Sequence, residues 1–429
     1  DVAEDTLRYV MRQMTAPEGG FYSAEDADSI PPEQAGGETP HKMEGAFYLW
    51  TAAEVDALLG DDAPLVKQRF GILDGGNAPA DPQQEFTGKN LLYIAAGLDT
   101  LAGTAGKTEA DVEQALSVAR VALFRARVER PHPQLDDKVL TAWNGLMIGA
   151  FGRAARLLNG LSLRDQRAGD GYLAAARKAA TFIRATMWDA SSRTLTRRYR
   201  DGHAEIEAFA EDYAYLIFGL LELFQADPDA AWLTWIVELQ QRQDELFRDE
   251  VHGGWFSTTG QDPTVLVRMK EDYDGAEPTA SSVSVLNLLT LAHLVDDERW
   301  WPALERTLRL FAERLEQIGR AVPMMAAALS AYHAGIQQVV IVGDDDPDGL
   351  WRIVSLRYRP FTITLRVTAA EQQALAATMP WLAAMRPIDG RATAYVCKEF
   401  VCSAPVTDAP ALRTLLDPPA TSNQQPANQ

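Results

Sequence analysis

The chain has 429 residues, of which 47% are hydrophobic, and a formal net charge of −20 at pH 7. So large a negative charge argues against binding to nucleic acid or to an anionic membrane surface. No apolar run approaches about 18 uncharged residues, so we expect no membrane span, and the first residues lack the pattern of a signal peptide. Cys397 and Cys402 are the only cysteines, which predicts a reducing, cytoplasmic compartment and no disulfide framework.

Short helices are predicted in the N-terminal third of the chain. Apolar side chains recur at helical spacing in residues 5–14 and 65–70. A third helix, residues 51–59, is marked at its start by a capping box, in which Thr51 is followed three residues later by Glu54.

Two aromatic segments in the same third look like strands. They are GGFYS (19–23) and GAFYLW (45–50), and we expect them to pair as a hairpin. Residues 71–90 are rich in Gly and Pro, which predicts a long ordered loop that could act as a lid.

Two kinds of helix alternate from residue 107 onward. Helices that are apolar on almost every side, and must therefore be buried, are predicted at residues 137–158, 208–224 and 277–294. Helices with one polar face are predicted at residues 110–127, 171–187, 230–247 and 303–318, followed by a short helix at 322–332. Buried helices that alternate with half-exposed ones are typical of two concentric rings, an α/α toroid.

The buried helices also repeat at a fixed period. Tyr213 follows Asn144 by 69 residues, and Ser282 follows Tyr213 by another 69. Such a period indicates a repeat architecture. Too few helices are predicted for a complete toroid. We therefore predict a mainly α fold, an incomplete (α/α)6 toroid of the six-hairpin glycosidase or epimerase type.

The pattern changes to period two after residue 335. Strands rich in β-branched residues are predicted at 337–343, 361–367 and 392–397, with helices at 350–357 and 369–377 between them. We therefore predict a partial toroid at 1–335, a small α/β domain at 336–415 and a disordered tail at 416–429.

Carboxylates stand at the leading ends of all three buried helices, among them Glu211 before the second helix and Glu271 before the third. The predicted catalytic residues are Asp136, Asp137, Asp212 and Glu277. Paired carboxylates at helix tips can exchange protons with a substrate. The simpler alternative is that these residues cap their helices and complement the helix dipoles.

Aromatic, polar and further charged side chains accompany the carboxylates, and we predict that ten of them bind the substrate. They are Lys138, Trp143, Asn144, Tyr213, Glu25, Asp26, Tyr22, Tyr48, Trp255 and Asp274. Aromatic rings stack on apolar sugar faces and carboxylates accept hydrogen bonds from hydroxyls, so the set suits a carbohydrate. Alternatively, the aromatic residues only fill the core.

No metal or cofactor is predicted. The acidic run Glu25, Asp26 and Asp28 is better explained by solvation or capping than by cation binding. Cys397 and Cys402 have C-x4-C spacing, which supports neither a redox pair nor a zinc site. Histidines are scattered, and none lies at the leading end of a buried helix, which weakens an epimerase interpretation.

Several motifs together resemble one family: GGFYSAEDADS, EGAFYLW, RPHPQLDDKVLTAWNGLM, EDYAYLIFGLLELF, GGWF, DGAEPT and ATAYVCKEFVC. This is the family of thioredoxin-domain proteins fused to a sugar-epimerase-like toroid, the spermatogenesis-associated protein 20 family, and the resemblance covers most of residues 1–410. It implies a thioredoxin-like domain and further toroid helices upstream, so we expect this chain to lack the thioredoxin part. The family's EPSGNS is EPTASS here (277–282), which removes a polar Asn side chain.

Two functions follow from these patterns. The first is a carbohydrate-active or carbohydrate-binding toroid, hydrolytic or isomerising, with acid/base chemistry at paired carboxylates in an aromatic-lined cavity. The second is a non-catalytic, ligand-binding scaffold for a fused thioredoxin-like domain. A small-molecule ligand, a sugar, is expected in both.

Overall fold

The structure is a computed structural model that describes residues 2–78, 81, 86–159, 161 and 163–417. The chain forms two compact units, one made of Asp1–Ser23 and Asp137–Gln429 and the other of Ala24–Asp136. The predicted tail lies outside the described residues from 418 onward, as does part of the predicted loop at 71–90. The predicted domain boundaries at 335 and 415 remain predictions.

The first third of the chain is built from short elements. Its helices are α1 (Val2–Gln13), α2 (Ala52–Leu59), α3 (Ala63–Phe70), α4 (Leu98–Ala105) and α5 (Glu109–Val128). Its strands are β1 (Tyr22–Glu25), β2 (Asp28–Ser29) and β3 (Met43–Glu44). The capping box of α2 is confirmed, because Thr51 and Glu54 exchange side-chain and main-chain hydrogen bonds.

The predicted strand at residues 45–50 was wrong, and so was the hairpin that depended on it. Gly45 has a φ of +68°, and Tyr48 N–H donates to the Gly45 carbonyl at 2.8 Å, which makes a turn. The buried guanidinium of Arg130 donates hydrogen bonds to the carbonyls of Phe47 and Leu49 at 3.0 and 2.6 Å. These carbonyls are therefore bonded to a side chain instead of to a strand.

The middle of the chain carries the long helices. They are α6 (Thr141–Leu158), α7 (Leu163–Thr186), α8 (Ala210–Ala226), α9 (Ala230–Phe247), α10 (Ala280–Leu294), α11 (Trp300–Leu310), α12 (Ala312–Ile318) and α13 (Pro323–Ala334). The strands among them are β4 (Leu135–Leu140), β5 (Trp188–Asp189), β6 (Thr194–Arg200) and β7 (His203–Glu207). Helices α8 and α10 are buried along almost their whole length, whereas α7, α9 and α11 each expose one face. The predicted alternation of buried and half-exposed helices in a partial α/α toroid is confirmed.

The first buried helix begins later than predicted. Residues 136–138 lie on β4, and α6 starts after Leu140 without a side-chain cap. Strand β4 pairs in an antiparallel register with β6, an element that the sequence analysis did not predict. The prediction that Asp136, Asp137 and Lys138 form a helix tip was therefore wrong.

Helices α6 and α8 pack with their backbones in contact. A Cβ atom on Gly219 would collide with the Gly145 carbonyl, and one on Gly145 would collide with the Tyr215 carbonyl. Glycine is the only residue that permits so close an approach. This contact fixes the leading ends of the two helices next to each other.

The C-terminal part is a small α/β layer. Its strands are β8 (Gln337–Val342), β9 (Thr362–Val367), β10 (Thr393–Lys398) and β11 (Val401–Cys402), in the order β11-β10-β8-β9. Its helices are α14 (Leu350–Ser355), α15 (Ala369–Leu375) and α16 (Ala409–Leu416). Hydrogen bonds to Gln225 and to the His293 and Leu294 carbonyls attach this layer to the C-terminal ends of α8 and α10.

The two cysteines form a disulfide. Cys397 on β10 lies directly opposite Cys402 on β11, and the pair is bonded across the hairpin. The prediction that the chain has no disulfide was wrong, because C-x4-C spacing brings two sulfurs together when the intervening residues turn a tight hairpin. The cytoplasmic location loses that argument and remains a prediction.

Candidate functional site

The leading ends of α6, α8 and α10 are joined by side-chain hydrogen bonds. Trp143 in the first turn of α6 donates its indole N–H to Glu277, which precedes α10, at 2.6 Å. Tyr215 of α8 donates its hydroxyl to the carbonyl of Pro278. Asp212 of α8 accepts the main-chain N–H of Ala142 at 3.2 Å. Three helices that are separate in sequence therefore meet at one place.

Asp212 lies inside this junction rather than on its surface. Its carboxylate is fully buried, and it accepts hydrogen bonds from the main chain of Phe209 at 2.9 Å and from Arg197 at 2.9 Å. Burial raises its pKa to about 6, although Arg197 opposes the shift. The carboxylate is enclosed in this conformation, and its predicted catalytic role remains a prediction.

Arg197 links Asp212 to the more exposed Glu211. The same guanidinium nitrogen contacts Glu211 at 2.7 Å, and the guanidinium lies 4.7 Å from the ring centre of Phe209. A cation held over an aromatic face and against two carboxylates has little freedom to move. Arg197 thus fixes both Glu211 and the ring of Phe209.

Three carboxylates, Glu211, Glu271 and Glu277, interact electrostatically at this junction, and we call them the acidic cluster. Burial raises the pKa of Tyr215, and all three carboxylates raise it further. Burial also raises the pKa of Glu271, with Glu211 and Glu277 adding to the shift. Because like charges disfavour one another's ionised form, Glu271 keeps its proton to a higher pH than an ordinary glutamate.

Two predicted binding residues are instead occupied by main-chain groups. Asn144 bonds to both main-chain groups of Phe21 and to the Leu140 carbonyl, at 2.7 to 2.9 Å. Asp274 accepts hydrogen bonds from the main-chain N–H of Thr279, just before α10, at 2.7 Å and from that of Met324, in the first turn of α13, at 2.8 Å. Both side chains are buried. We therefore assign them structural roles and leave them out of the proposed site.

Two predicted aromatic residues lie in the core. The indole N–H of Trp255 donates to Asp244 at 2.9 Å, and the ring of Tyr213 packs on Phe247 while its hydroxyl accepts the Leu195 N–H at 3.3 Å. Both are almost inaccessible to solvent. For these two residues the alternative of core filling is the one that the structure supports.

The predicted catalytic pair on β4 has different neighbours. Asp137 pairs with Arg200 at 2.7 Å. Burial raises the pKa of Tyr22, and Asp137 and Glu18 raise it further. Asp136 and Lys138 flank Asp137 and, because strands alternate, point to the opposite side. The role of these residues in ligand binding remains a prediction: Tyr22 lies on β1, and Asp136, Asp137 and Lys138 lie on β4.

Three further predicted residues belong to the unit Ala24–Asp136. The hydroxyl of Tyr48 donates to Glu25 at 3.3 Å, and the guanidinium of Arg127 lies 5.1 Å from the Tyr48 ring centre. Asp26 pairs with Lys42 at 2.9 Å, and this hydrogen bond lowers the pKa of Asp26. Their site membership also remains a prediction.

Within the described residues, no group of three or more His, Cys, Asp or Glu side chains has a geometry that could hold a metal ion. Among the same residues, no helix combines the length and apolarity needed to cross a bilayer.

Comparison with known proteins places the chain in a family. Spermatogenesis-associated protein 20 from Homo sapiens is 36% identical over 442 residues, and the protein of the same name from Rattus norvegicus is 37% identical over 440 residues. Each alignment covers 97% of this chain and 54% of the relative. The chain belongs to the spermatogenesis-associated protein 20 family. It spans about half the length of the curated relatives it matches.

Solved structures give a weaker likeness. Cellobiose 2-epimerase from Bacillus thermoamylovorans is 10% identical with a TM-score of 0.34, covering 73% of this chain and 72% of the enzyme. Cellobiose 2-epimerase from Spirochaeta thermophila is 22% identical with a TM-score of 0.28, covering 38% and 42%. With such low TM-scores, the assignment of the fold depends on the arrangement of this chain's own helices. No family model matches the sequence.

Three residues at this junction were not singled out from the sequence: Arg197, Phe209 and Tyr215. Arg197 lies on β6, a strand that was not predicted, so nothing in the sequence placed it near α8. Phe209 and Tyr215 flank the predicted pair Asp212 and Tyr213. The helical spacing offered a signal for Tyr215, because it falls about one turn after Glu211, on the same face of α8.

Proposed function

We propose that the leading ends of α6, α8 and α10 bind a carbohydrate and that the acidic cluster exchanges protons with it. Trp143 and Phe209 are 41% and 37% exposed beside the carboxylates. Aromatic faces stack on the apolar faces of sugar rings, and carboxylates with an arginine bind hydroxyl groups. The observation that carries this proposal is the acidic cluster, formed by Glu211 of α8 and by Glu271 and Glu277 of the segment before α10, beside Trp143 of α6.

Glu271 is the proton donor in this proposal. Its raised pKa keeps the carboxyl protonated to a higher pH than an ordinary glutamate, which is a property that favours a general acid. Glu277 or Glu211 is the proton acceptor, because both hydrolysis and epimerisation of a sugar need one proton donor and one proton acceptor. Asp212 contributes by holding Arg197, and through it Glu211, in position.

Calorimetry with glucose, mannose and cellobiose tests the binding. We expect at least one of these sugars to bind the wild-type chain, and we expect Glu277→Gln to weaken that binding about tenfold or more. The matched control is Glu305→Gln, because Glu305 likewise accepts a hydrogen bond from an aromatic side chain, the Tyr332 hydroxyl at 3.3 Å, but lies on the outer helix α11. Absence of binding by all three sugars, or an equal loss in both variants, contradicts the proposal.

The second candidate, a non-catalytic scaffold, is favoured by one observation. Asn144, Asp212 and Asp274, all predicted site residues, are occupied by main-chain groups of this chain. Following the bound sugar by NMR separates the two functions. Formation of an epimer or a hydrolysis product supports the enzyme, whereas binding without any change to the sugar supports the scaffold. Because this chain spans about half the length of its curated relatives, any activity of those longer proteins is also only proposed for this chain.

A further inference from the structure

A second site-like feature lies at the opposite ends of the same helices. A cavity of about 110 Å³ opens between the C-terminal ends of α6 and α8 and the segment that leads from α14 into β9. Four arginines line it: Arg153, Arg156, Arg357 and Arg359. The acidic cluster is at the leading ends of α8 and α10, so this cavity is separate from the site proposed above.

The charges around the cavity do not balance. Glu222 is shared between Arg153 and Arg156, at 2.5 and 3.0 Å. Asp417 is likewise shared between the other two arginines, at 3.1 and 3.0 Å. Four guanidinium groups thus face two carboxylates. Each helix C-terminus adds roughly half a negative charge, which leaves the arginines in excess in a protein of net charge −20.

Several of these charged groups are withdrawn from water. The side chains of Arg156 and Arg359 are each 14% exposed, and that of Glu222 is 11% exposed. Burial lowers the pKa of Arg156, and the neighbouring Arg153 lowers it further. Among the described residues, Nη1 of Arg156 and Nε of Arg359 are enclosed and have no hydrogen-bond acceptor. A buried donor without an acceptor is costly, so an anion at this place would stabilise the cluster.

The size and the charge of the cavity restrict what it can hold. It is smaller than the roughly 300–1,000 Å³ of sites for drug-sized ligands, so it suits a single ionised group. Four guanidinium groups against two carboxylates and two helix C-termini leave an excess of about one positive charge, which a phosphate monoester, with about −1.5 to −2 charges at pH 7, fully neutralises. Arginine is also the side chain whose planar fork pairs best with phosphate oxygens.

We propose that the cavity lined by Arg153, Arg156, Arg357 and Arg359 binds a phosphate dianion, either as the free ion or as the phosphate group of a small molecule. The ring of Trp351 borders the cavity and gives the remainder of such a molecule an apolar surface. Since this site is built by the C-terminal α/β layer and the helix ends together, its ligand would stabilise their contact.

Calorimetry in a phosphate-free buffer tests the proposal with three probes: inorganic phosphate, glucose 6-phosphate and acetate. We expect phosphate or its ester to bind and acetate, a monoanion, to bind at least about tenfold more weakly. Equal affinity for inorganic phosphate and the ester identifies the free ion as sufficient, whereas binding of the ester alone identifies a phosphorylated molecule. Absence of binding by both phosphates, or equal binding of acetate, overturns the proposal.

Two variants with opposite expected effects locate the site. Arg357→Gln removes a lining side chain that is 65% exposed, so we expect a folded protein that binds phosphate about tenfold more weakly. Arg309→Gln is the control, because Arg309 is 72% exposed and also forms an ion pair but lies on α11. Glu222→Gln removes a competing negative charge and should bind phosphate more tightly. Equal effects of the two arginine variants, or weaker binding by a folded Glu222→Gln protein, contradict the assignment.

Discussion

The indole Nε1 of Trp143 donates a hydrogen bond of 2.6 Å to Oε1 of Glu277, two residues that are 134 positions apart in the chain. This bond connects the first turn of α6 with the segment before α10. An aromatic ring that is 41% exposed is thereby held against a carboxylate. A ring beside an acid is the arrangement on which the proposed sugar site depends.

Substitution of Trp143 separates stacking from hydrogen bonding. Trp143→Ala removes both, so we expect the affinity for the sugar identified by calorimetry to fall about tenfold or more. Trp143→Phe keeps an aromatic face and loses only the N–H donor, so we expect a smaller loss. Equal affinity in the alanine variant and the wild type would remove Trp143 from the site.

Asp212 should make the stability of the protein depend on pH. Burial raises its pKa from 3.8 to about 6, so between these values the native state binds more protons than the unfolded chain. Its contribution is therefore fully present below about pH 4 and is lost as the pH rises through about 6. Asp212→Asn cannot titrate and should lack this fall, which amounts to about 3 kcal/mol at most.

Urea unfolding at pH 4, 5, 6 and 7 measures this effect as the difference in free energy of unfolding between wild type and Asp212→Asn. We expect the difference to shrink as the pH rises, because the wild type loses stability that the variant never had. A difference that grows with pH would show that the ion pair with Arg197 outweighs burial.

Asn144 should matter for stability rather than for binding. Asn144→Ala leaves the buried main-chain groups of Phe21 without their partner, and we expect a loss of about 3 kcal/mol in the free energy of unfolding. The control is Asn159→Ala, because Oδ1 of Asn159 accepts no hydrogen bond from the described residues. Similar losses in both variants would contradict this role.

The contact between α6 and α8 should not tolerate a methyl group. Gly219→Ala places a Cβ on the Gly145 carbonyl, so we expect a loss of at least about 3 kcal/mol. Gly171→Ala is the matched control in α7, since among the described residues no atom outside its own helix backbone lies within 4 Å of the added Cβ, and alanine there should stabilise the helix by about 1 kcal/mol. Thermal unfolding followed by circular dichroism distinguishes the two. Native-like stability of Gly219→Ala would show that the helices can separate.

The helical part of the fold was predictable because burial leaves a strong pattern. The apolar runs of α8 and α10 and the polar faces of α7 and α9 gave the layering, and the period of 69 residues gave the repeat. Strands β5, β6 and β7 were missed, because β5 has only two residues and because β6 and β7 are rich in charged residues and only partly buried. Helix α6 was extended too far, because β4 becomes a strand only by pairing with β6.

The candidate site was predictable only in part. Carboxylates before each buried helix indicated Glu277 and the region of Glu211. Sequence could not tell that Asp212 is enclosed or that Asp274 caps two helices, because a capping carboxylate and a ligand-binding carboxylate occupy the same place in a sequence. Arg197 could not be found at all without the strand that carries it.

The most direct test of the shared acidic cluster is the pH titration of the Glu271 carboxyl resonance by ¹³C NMR, assigned with Glu271→Gln. Its midpoint should lie above 4.5, the ordinary value for glutamate, because burial and the charges of Glu211 and Glu277 raise the pKa of Glu271. Glu211→Gln, on α8, should lower this midpoint by removing a negative charge. A resonance that does not titrate, or a midpoint that Glu211→Gln leaves unchanged, would show that these helix ends do not share one site.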